Sequence, residues 1–574
     1  MGITPQTVVR RLREHWLGLL LLAFLAVFLV YPVVYVIPSA ARDREGWTLF
    51  YFRSLFTNEF MRGCLWNSLA IGLLTTAATT VLSLPLAYWF TRRRFRGQTI
   101  LSGLLLIPLV LPPFVGALGL ERFLNPYGTL NLILIKLGWM EPSQPVDWLG
   151  VAGWLGVVVL ETLHMYPIMY LNVAASLANV DPSLEDAARN LGASESRIFR
   201  TVTFPLMLPG YFAGAAIVFV WAFTDLGTPL VFNFAQVVPV QIFNLISDPQ
   251  NNPVGYALVV VTLLITSALF FATRWFVSRR SYTMMSKGGA SAGMQPATRW
   301  ETAGIYLAVL VLVGVSALPH IGVILMASTD YWGMTLFPTT FSADSFRLVL
   351  EEPAAYRSIL NSLWYSLSST ALDLAIGLAI AYLVVRRPSW LSSTLDGLAM
   401  LPLALPGLVL AFGYLTCYNK WSLGGLEQWL NPSKNPTFLL VIAYTVRRLP
   451  YLTRAATAGL QQIAPVMEEA AENLGASRWR VVRTVTIPLL AANLTAGAIL
   501  TFSFALLEVS DSLMLAQQEK YFPITRAIFG FWLRPDDGPY IASAMGVIGM
   551  AILGLSLVGA SIVLGKKMGE LFRA

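Results

Sequence analysis

The sequence predicts an all-α integral membrane protein built of two parallel six-helix modules. Three observations predict this class: a deficit of charged residues, a series of membrane-length apolar segments, and an internal repeat of the whole pattern. Of the 574 residues, 56% are hydrophobic and only 12% are charged, whereas soluble globular chains carry roughly 25% charged residues. We therefore expect most of the chain to lie in lipid.

Apolar segments of about 20 residues, the length that crosses a bilayer, recur along the chain, and we predict twelve transmembrane helices. They lie near 16–38, 66–90, 99–121, 151–175, 206–228, 254–277, 303–327, 361–385, 395–417, 437–458, 489–514 and 541–565. Two prolines recur at equivalent positions in the third segment of each set of six, Pro108 and Pro112 in the first and Pro402 and Pro406 in the second. These prolines are expected to kink the helix, because proline removes a backbone hydrogen bond and clashes with the preceding turn.

The distribution of basic residues predicts the orientation. Lysine and arginine are more numerous in the loops on the side of the N-terminus, with a dense cluster at Thr91–Gly97. By the positive-inside rule, both termini are cytoplasmic. The net charge of +8 is then a property of the membrane surface, and no nucleic acid partner is needed to explain it. Cys64 and Cys417 lie in no partner motif, which argues against disulfides and a thiolate metal site.

The internal repeat divides the chain into two modules. Asn67–Leu69 returns 294 residues later as Asn361–Leu363, and further along the chain the spacing becomes 283. Six predicted spans separate the copies, so both copies face the same way and form parallel repeats. We predict a first module at residues 1–280, a polar cytoplasmic linker at 281–300 and a second module at 301–574.

A charged segment punctuated by glycine occurs once in each module. EDAARNLGASESRIFRTVTFPLMLPG begins at Glu185, and EEAAENLGASRWRVVRTVTIPLLAAN begins at Glu468. Asp181 followed by proline is typical of a helix N-terminus, Gly192 can end that helix in a left-handed conformation, and Ser194 can cap a second helix. For a single copy, an ordinary surface loop is an equally good interpretation. Two copies indicate a partner with two equivalent binding sites on the cytoplasmic face.

Both segments resemble the EAA loop of binding-protein-dependent ABC importer permeases. In that pattern, Glu-Ala-Ala is followed after three residues by Gly and after nine more by an apolar-x-apolar-Pro ending; the first copy has Asp in place of Glu. The resemblance covers essentially the whole chain and implies a fused double permease of the type I importer class. It assigns coupling to an ATPase to Glu185, Asp186, Ala187, Ala188, Gly192, Pro205, Glu468, Glu469, Ala470, Ala471, Gly475 and Pro488.

The resemblance also implies the partners and the location. Two copies of a separate ABC ATP-binding subunit are expected on the cytoplasmic face, and a periplasmic or lipid-anchored solute-binding protein on the outer face of a bacterial inner membrane. The chain has no P-loop motif, so we expect no ATP hydrolysis, no enzymatic activity and no cofactor of its own. A secondary transporter is the alternative class, although it would not need a duplicated docking loop.

Acidic residues follow the span after each loop and are candidates for the translocation pathway. Asp225 and Glu508 lie 283 residues apart, with Trp221 and Asp511 close by. Ionisable residues within spans are functional candidates by default. A structural role as helix-end carboxylates is an equally weighted alternative. The arginine pair at 447–448 could bind these acids or extend towards the membrane surface.

The cargo is suggested by a finer resemblance. A fused double permease of this length resembles the ferric iron branch of the family, and the segment at Thr224–Pro229 is similar to that branch's acid-Phe-Gly-Thr stretch, with Leu226 in place of Phe. We therefore expect ferric iron. Thiamine, aminoethylphosphonate, sugar phosphate and polyamine systems share the loop and stay open as alternatives. The acids favour a cationic cargo.

Overall fold

The structure is a computed structural model, and it describes residues 16–42, 46–149, 153–245, 253–278, 294–419 and 427–564. Nearly all of the described secondary structure is helical. The two strands in these ranges are β1 (Arg93–Arg94) and β2 (Gln295–Pro296), which pair in parallel. This pairing ties the end of the predicted linker to the first basic loop. Residues 281–293 of that linker lie outside the described ranges.

The helices of the first half follow the predicted spans, with short helices between them. They are α1 (Trp16–Ala40), α2 (Phe50–Thr57), α3 (Glu59–Arg92), α4 (Gln98–Leu104), α5 (Pro113–Leu124), α6 (Thr129–Lys136), α7 (Trp154–Ala178), α8 (Pro182–Asn190), α9 (Glu195–Ile198), α10 (Phe204–Thr224), α11 (Gly227–Val231), α12 (Val238–Asn244) and α13 (Val254–Ser278). A π-helical turn, Phe199–Thr203, joins α9 to α10.

The second half repeats this order. Its helices are α14 (Arg299–Ala327), α15 (Asp344–Glu351), α16 (Pro353–Arg386), α17 (Trp390–Met400), α18 (Gly407–Tyr418), α19 (Glu427–Leu430), α20 (Thr437–Gln462), α21 (Val466–Asn473), α22 (Arg478–Val481), α23 (Ile487–Leu506), α24 (Ser510–Leu515), α25 (Ile524–Trp532) and α26 (Gly538–Leu564). A π-helical turn, Val482–Thr486, joins α22 to α23.

The third predicted span of each half is sharply bent. The chain turns by 91° between the helices on either side of Pro112 and by 104° at the equivalent Pro406. The prediction that prolines kink these spans is confirmed, and the bend is large enough for a broken span or a re-entrant loop.

Nine helices of the described ranges are long and apolar enough to cross a membrane, or eleven if each bent pair is one span. The remaining predicted span, the tenth along the chain at 437–458, coincides with α20, which is 26 residues long. This helix is less apolar than the others because it contains Arg447, Arg448 and Arg454. The number twelve therefore stays a prediction.

Each half contains a bundle of three long helices, α3, α7 and α10 in the first and α16, α20 and α23 in the second. Small residues let these helices approach closely, as is common in membrane bundles. A Cβ built on Gly377 of α16 would lie 3.0 Å from the Leu452 side chain of α20, and one on Gly497 of α23 would lie 2.9 Å from the same side chain. Each duplicated loop connects the second and third helices of its bundle.

The two halves interlock through their first helices. Helix α1 packs against α18 of the second half, and α14 packs against α5 of the first half. Glycines allow both crossings: a Cβ on Gly413 would lie 2.8 Å from the carbonyl oxygen of Pro32, and one on Gly119 would overlap the carbonyl oxygen of Pro319. The fold is thus one interlocked body with a repeated architecture.

Candidate functional site

The duplicated loops have the helix-turn-helix geometry that the sequence predicts. Helix α8 begins after Asp181, whose Oδ1 accepts the Ser183 N–H at 2.9 Å, and this bond lowers the pKa of the Asp181 carboxyl. Gly192 and Gly475 have φ angles of +82° and +87°, which is the left-handed conformation that glycine favours. Ser194 occupies the N-cap position of α9, but its side chain makes no capping hydrogen bond, so that detail of the prediction is wrong.

The first loop is fastened to its bundle by a buried cluster, the Glu185 clamp, formed by Arg92, Glu185 and Thr203. Arg92 Nη2 lies 3.0 Å from Glu185 Oε1, and the Thr203 hydroxyl donates to the same oxygen at 2.9 Å. Arg92 also donates to the carbonyl oxygen of Val180 at 3.3 Å. The clamp joins the end of α3, the loop helix α8 and the π-helical turn that leads into α10.

The second loop has the same arrangement, the Glu468 clamp, formed by Arg386, Glu468 and Thr486. Arg386 Nε lies 2.7 Å from Glu468 Oε2, and the Thr486 hydroxyl donates to Oε1 at 2.8 Å. Arg386 also donates to the carbonyl oxygen of Ile463 at 3.0 Å. Removing one partner from a buried ion pair is costly because the other charge is left buried without compensation. Both loops are therefore held in defined positions relative to their bundles.

The residues of the EAA pattern divide into inward and outward sets. Glu185 and Glu468 are buried, whereas Asp186 and Glu469 are exposed. The remaining members, which are exposed or half-buried, are Ala187, Ala188, Gly192, Pro205, Ala470, Ala471, Gly475 and Pro488. The two inward glutamates therefore position the loops, and the outward residues form the surface that a partner can contact.

A leucine stands immediately before the glycine of each turn and is almost fully exposed. Leu191 and Leu474 are each 89% exposed. The sequence analysis overlooked these two positions, although both copies contain leucine there. An exposed apolar side chain at the tip of a small-residue surface is a feature of binding sites for other proteins.

The pathway candidates of the second half form a closed ion-pair network. Arg447 contacts Glu508 and lies 3.2 Å from Asp511 Oδ2. Arg448 contacts the other oxygen of Glu508 and donates to the carbonyl oxygen of Phe504 at 3.1 Å. The suggestion that the two arginines pair with the acids is confirmed. The positive charges of the arginines offset both carboxylates.

The described residues of the first half form no equivalent network. Asp225 accepts hydrogen bonds from the backbone N–H groups of Gly227 and Thr228, at 3.3 and 2.9 Å, while Trp221 lies half-buried one turn before it. The neighbour of Asp225 is another acid, Glu161 of α7, which is fully buried. The sequence analysis missed Glu161, although an acid inside a predicted span is a signal that could have found it.

No group of three or more His, Cys, Asp and Glu side chains within the described ranges could hold a metal ion. Of the histidines, His164 contacts the carbonyl oxygen of Pro108 through Nδ1 at 2.9 Å. The free cysteines Cys64 and Cys417 are both buried. The candidate functional residues of the described ranges are therefore those of the two loops and the acid clusters.

A family model described as "Binding-protein-dependent transport system inner membrane component" matches the chain twice, at residues 79–282 and 373–569. The ferric transport system permease protein FbpB of Actinobacillus pleuropneumoniae is 27% identical over 544 residues, covering 93% of this chain and 75% of the relative. An Fe(3+)-transport system permease protein of Haemophilus influenzae is 23% identical over 92% of this chain and 94% of its own length. The molybdenum transport system permease protein ModB of Escherichia coli is 27% identical over 37% of this chain and 92% of its length.

Proposed function

The chain belongs to the family of binding-protein-dependent transport system inner membrane components, and on that premise we propose that it is the permease subunit of an ATP-driven importer of ferric iron. Members of this family are transport components and not enzymes. The observation that carries the proposal is the duplicated loop, which has a left-handed glycine and a clamped glutamate in both halves.

The loops support docking of two ATP-binding subunits. Each loop presents a short helix with an exposed carboxylate, small alanines and an exposed leucine, and each is anchored by its clamp to two helices of its bundle. A force applied to the loop therefore reaches the π-helical turn and the long helix that follows it. This helix ends at Asp225 in the first half and close to Glu508 in the second.

Ferric iron is favoured as cargo by two observations. The iron-transport relatives match over nearly the whole chain, whereas the molybdenum relative matches one half. The first half also has a buried carboxyl, Glu161, and a half-buried one, Asp225, and neither forms an ion pair with a basic residue of the described ranges. Such a pair suits a cation better than an oxyanion. A solute-binding protein on the outer face would deliver the ion.

The test is reconstitution of the permease with its ATP-binding subunit and solute-binding protein in vesicles. We expect ATP-dependent uptake of radiolabelled ferric iron, no uptake of molybdate, and a complex with two ATP-binding subunits per chain. Uptake that persists without ATP and without an ATP-binding subunit would favour a secondary transporter. Molybdate uptake without iron uptake would overturn the cargo assignment and leave the importer class intact.

A further inference from the structure

Glu161 lies in the middle of the first bundle with an unsatisfied carboxyl oxygen. Its side chain is fully buried. Oε1 accepts a hydrogen bond from the Thr228 hydroxyl at 3.1 Å. Oε2 is buried and receives no hydrogen bond from any N–H or hydroxyl group of the described ranges. Buried polar atoms are nearly always hydrogen-bonded, so an unpaired one in the described ranges indicates a bound proton, ion or water as its partner.

Thr228 also binds a second carboxyl, that of Asp225, whose Oδ2 accepts the Thr228 N–H at 2.9 Å, so this threonine links the carboxyls of Glu161 and Asp225. We call this pair the acidic dyad. Two ionised carboxylates only accept hydrogen bonds, so a direct bond between them requires one shared proton. Without a proton, a positive ion has to lie between them, because like charges in a desolvated site repel each other strongly.

The equivalent place in the second half shows what the first half lacks. At the spacing of 283, Glu161 corresponds to Tyr444, whose hydroxyl is 2.6 Å from Ser512 Oγ. The position of Arg447 is taken by His164 and that of Arg448 by Met165. Within the described ranges, no lysine or arginine forms an ion pair with either member of the acidic dyad.

Asp373 of α16 is another fully buried carboxyl with unpaired oxygens, but its surroundings differ. Both of its oxygens lack a donor in the described part of the chain, but its charge interacts with that of Arg448. Asp373 therefore lies near the arginines of the second-half network. In the described ranges, by contrast, no arginine or lysine forms an ion pair with a carboxyl of the acidic dyad.

We propose that Glu161, Asp225 and Thr228 form a binding site for an oxygen-preferring multivalent cation, and that a shared proton occupies the dyad when the cation is absent. Carboxylate and hydroxyl oxygens are the ligands that such cations prefer. Thr228 already contacts both carboxyls, that of Glu161 through its hydroxyl and that of Asp225 through its backbone N–H. The inference rests on the proposed function in one respect, namely that the bound cation is the cargo.

The dyad lies close to the contact between the two halves. Gly227, between Asp225 and Thr228, packs against Phe114, and a Cβ built on it would lie 2.7 Å from Phe114 Cβ. The Phe114 ring is in turn 6.5 Å from the ring of Phe529 in the second half. A cation that passes between the halves thus comes within one side-chain layer of the site.

The experiment is a titration of the purified permease in lipid nanodiscs with Tb³⁺, an oxygen-preferring trivalent probe whose luminescence is excited through nearby tryptophan. Trp221 is one helical turn from Asp225 and serves as the donor. We expect saturable luminescence in the wild type and a loss of affinity of about tenfold or more in Glu161→Gln, in Asp225→Asn and in the double variant. Thr228→Val should weaken binding less.

The matched control is Asp344→Asn, which removes an exposed carboxylate of α15 and should leave the Tb³⁺ titration unchanged. Assembly with the ATP-binding subunit, measured by pull-down, reports folding of each variant. Equal Tb³⁺ affinity in the wild type and the double variant overturns the site. Loss of assembly in both single variants and in Thr228→Val also overturns it, because the cluster is then structural.

Iron uptake in vesicles separates this inference from the proposed function. If the wild type imports iron and the dyad variants bind Tb³⁺ normally, the site is wrong and the function stands. If the wild type imports molybdate and not iron, while Tb³⁺ binding still depends on Glu161 and Asp225, the cargo assignment is wrong and the cation site stands.

Discussion

The two halves share the machinery at their loops and differ in their polar interiors. The Glu185 and Glu468 clamps match in all three partners, and their side chains are equally buried. By contrast, the acids that follow α10 and α23 have different surroundings. Glu508 forms ion pairs with two arginines, whereas Asp225 shares Thr228 with a second acid, Glu161. The proposed docking of two equivalent ATP-binding subunits requires two equivalent loops, whereas the proposed cation site requires only one set of ligands.

The largest expected effect on stability comes from removing one arginine from the ion-pair network of the second half. Arg447→Met leaves Glu508 and Asp511 buried with one cation between them, and losing a buried ion-pair partner costs about 3–5 kcal/mol. The equivalent change in the first half, His164→Met, removes one hydrogen bond to a backbone carbonyl, which is worth about 1 kcal/mol. Thermal unfolding in detergent measures both variants.

Adding Glu508→Gln to Arg447→Met should recover part of the lost stability, because the uncompensated charge is then gone. Equal melting temperatures for the Arg447 and His164 variants would contradict the distinction between a neutralised and a non-neutralised half.

The clamps should respond alike in the two halves. Arg92→Met or Arg386→Met leaves a buried glutamate unpaired, which costs about 3 kcal/mol and should reduce coupled uptake by about tenfold or more. The neighbouring arginines provide controls: Arg93 forms a half-exposed pair with Glu301, and Arg387 forms no ion pair in the described ranges, so methionine at either position should have a small effect.

Uptake per ATP hydrolysed is the measurement for the clamp variants, because a merely structural role would lower both quantities together. Adding Glu185→Gln to Arg92→Met, or Glu468→Gln to Arg386→Met, removes the unpaired charge and should restore part of the uptake. A large loss in only one half would show that the two loops couple unequally.

The glycine turns should be less sensitive. Gly192→Val and Gly475→Val introduce a β-branched residue at positive φ, which costs about 1–2 kcal/mol, although no atom lies within 4 Å of a Cβ at either position. We expect ATP hydrolysis to become uncoupled from uptake. Gly397→Val is the control, since this helical glycine has equally open surroundings. Normal uptake and normal assembly in both turn variants would refute the docking assignment.

The smallest effect on stability is expected at the exposed leucines. Leu191→Ser and Leu474→Ser should change the free energy of unfolding by less than about 0.5 kcal/mol, as surface substitutions do. They should nevertheless weaken binding of the ATP-binding subunit in a pull-down. Leu533→Ser, at a leucine that is 62% exposed in a predicted outer loop, should leave assembly unchanged. Unaltered assembly in the double Leu191 and Leu474 variant would remove these side chains from the docking surface.

Much of the loop geometry could be predicted because it depends on neighbouring residues. Asp181 before a proline and Gly192 after the helix have local conformational preferences, and both act as predicted. The proline-induced bends are also local, although their size, 91° and 104°, was not predictable. The size of a bend depends on what packs around it, which in this fold includes α1 and α14 of the opposite halves.

The contacts that form the two clamps and the acidic dyad could not be predicted from sequence patterns. Arg92, at the end of α3, and Glu185, in the loop helix α8, are 93 residues apart in the chain, and no periodicity links them. Glu185 and Asp186 look alike as neighbouring acids, yet one is buried and the other exposed. Which acid turns inward depends on how α8 lies against α3, and this is decided by packing between helices that the sequence lists far apart.

The sequence by itself determined the membrane class, the internal repeat, the helix-turn-helix form of the two loops and the family resemblance, because apolar composition, spacing and turn chemistry are properties of contiguous residues. Only the tertiary structure decided which charges neutralise one another. Arg447 and Arg448 of α20 form ion pairs with Glu508, whereas Glu161 and Asp225 share Thr228 and form no ion pair with an arginine of the described ranges. Electrostatic energy in a low-dielectric interior depends on distances of a few ångströms, and those distances follow from the packing of the folded bundle.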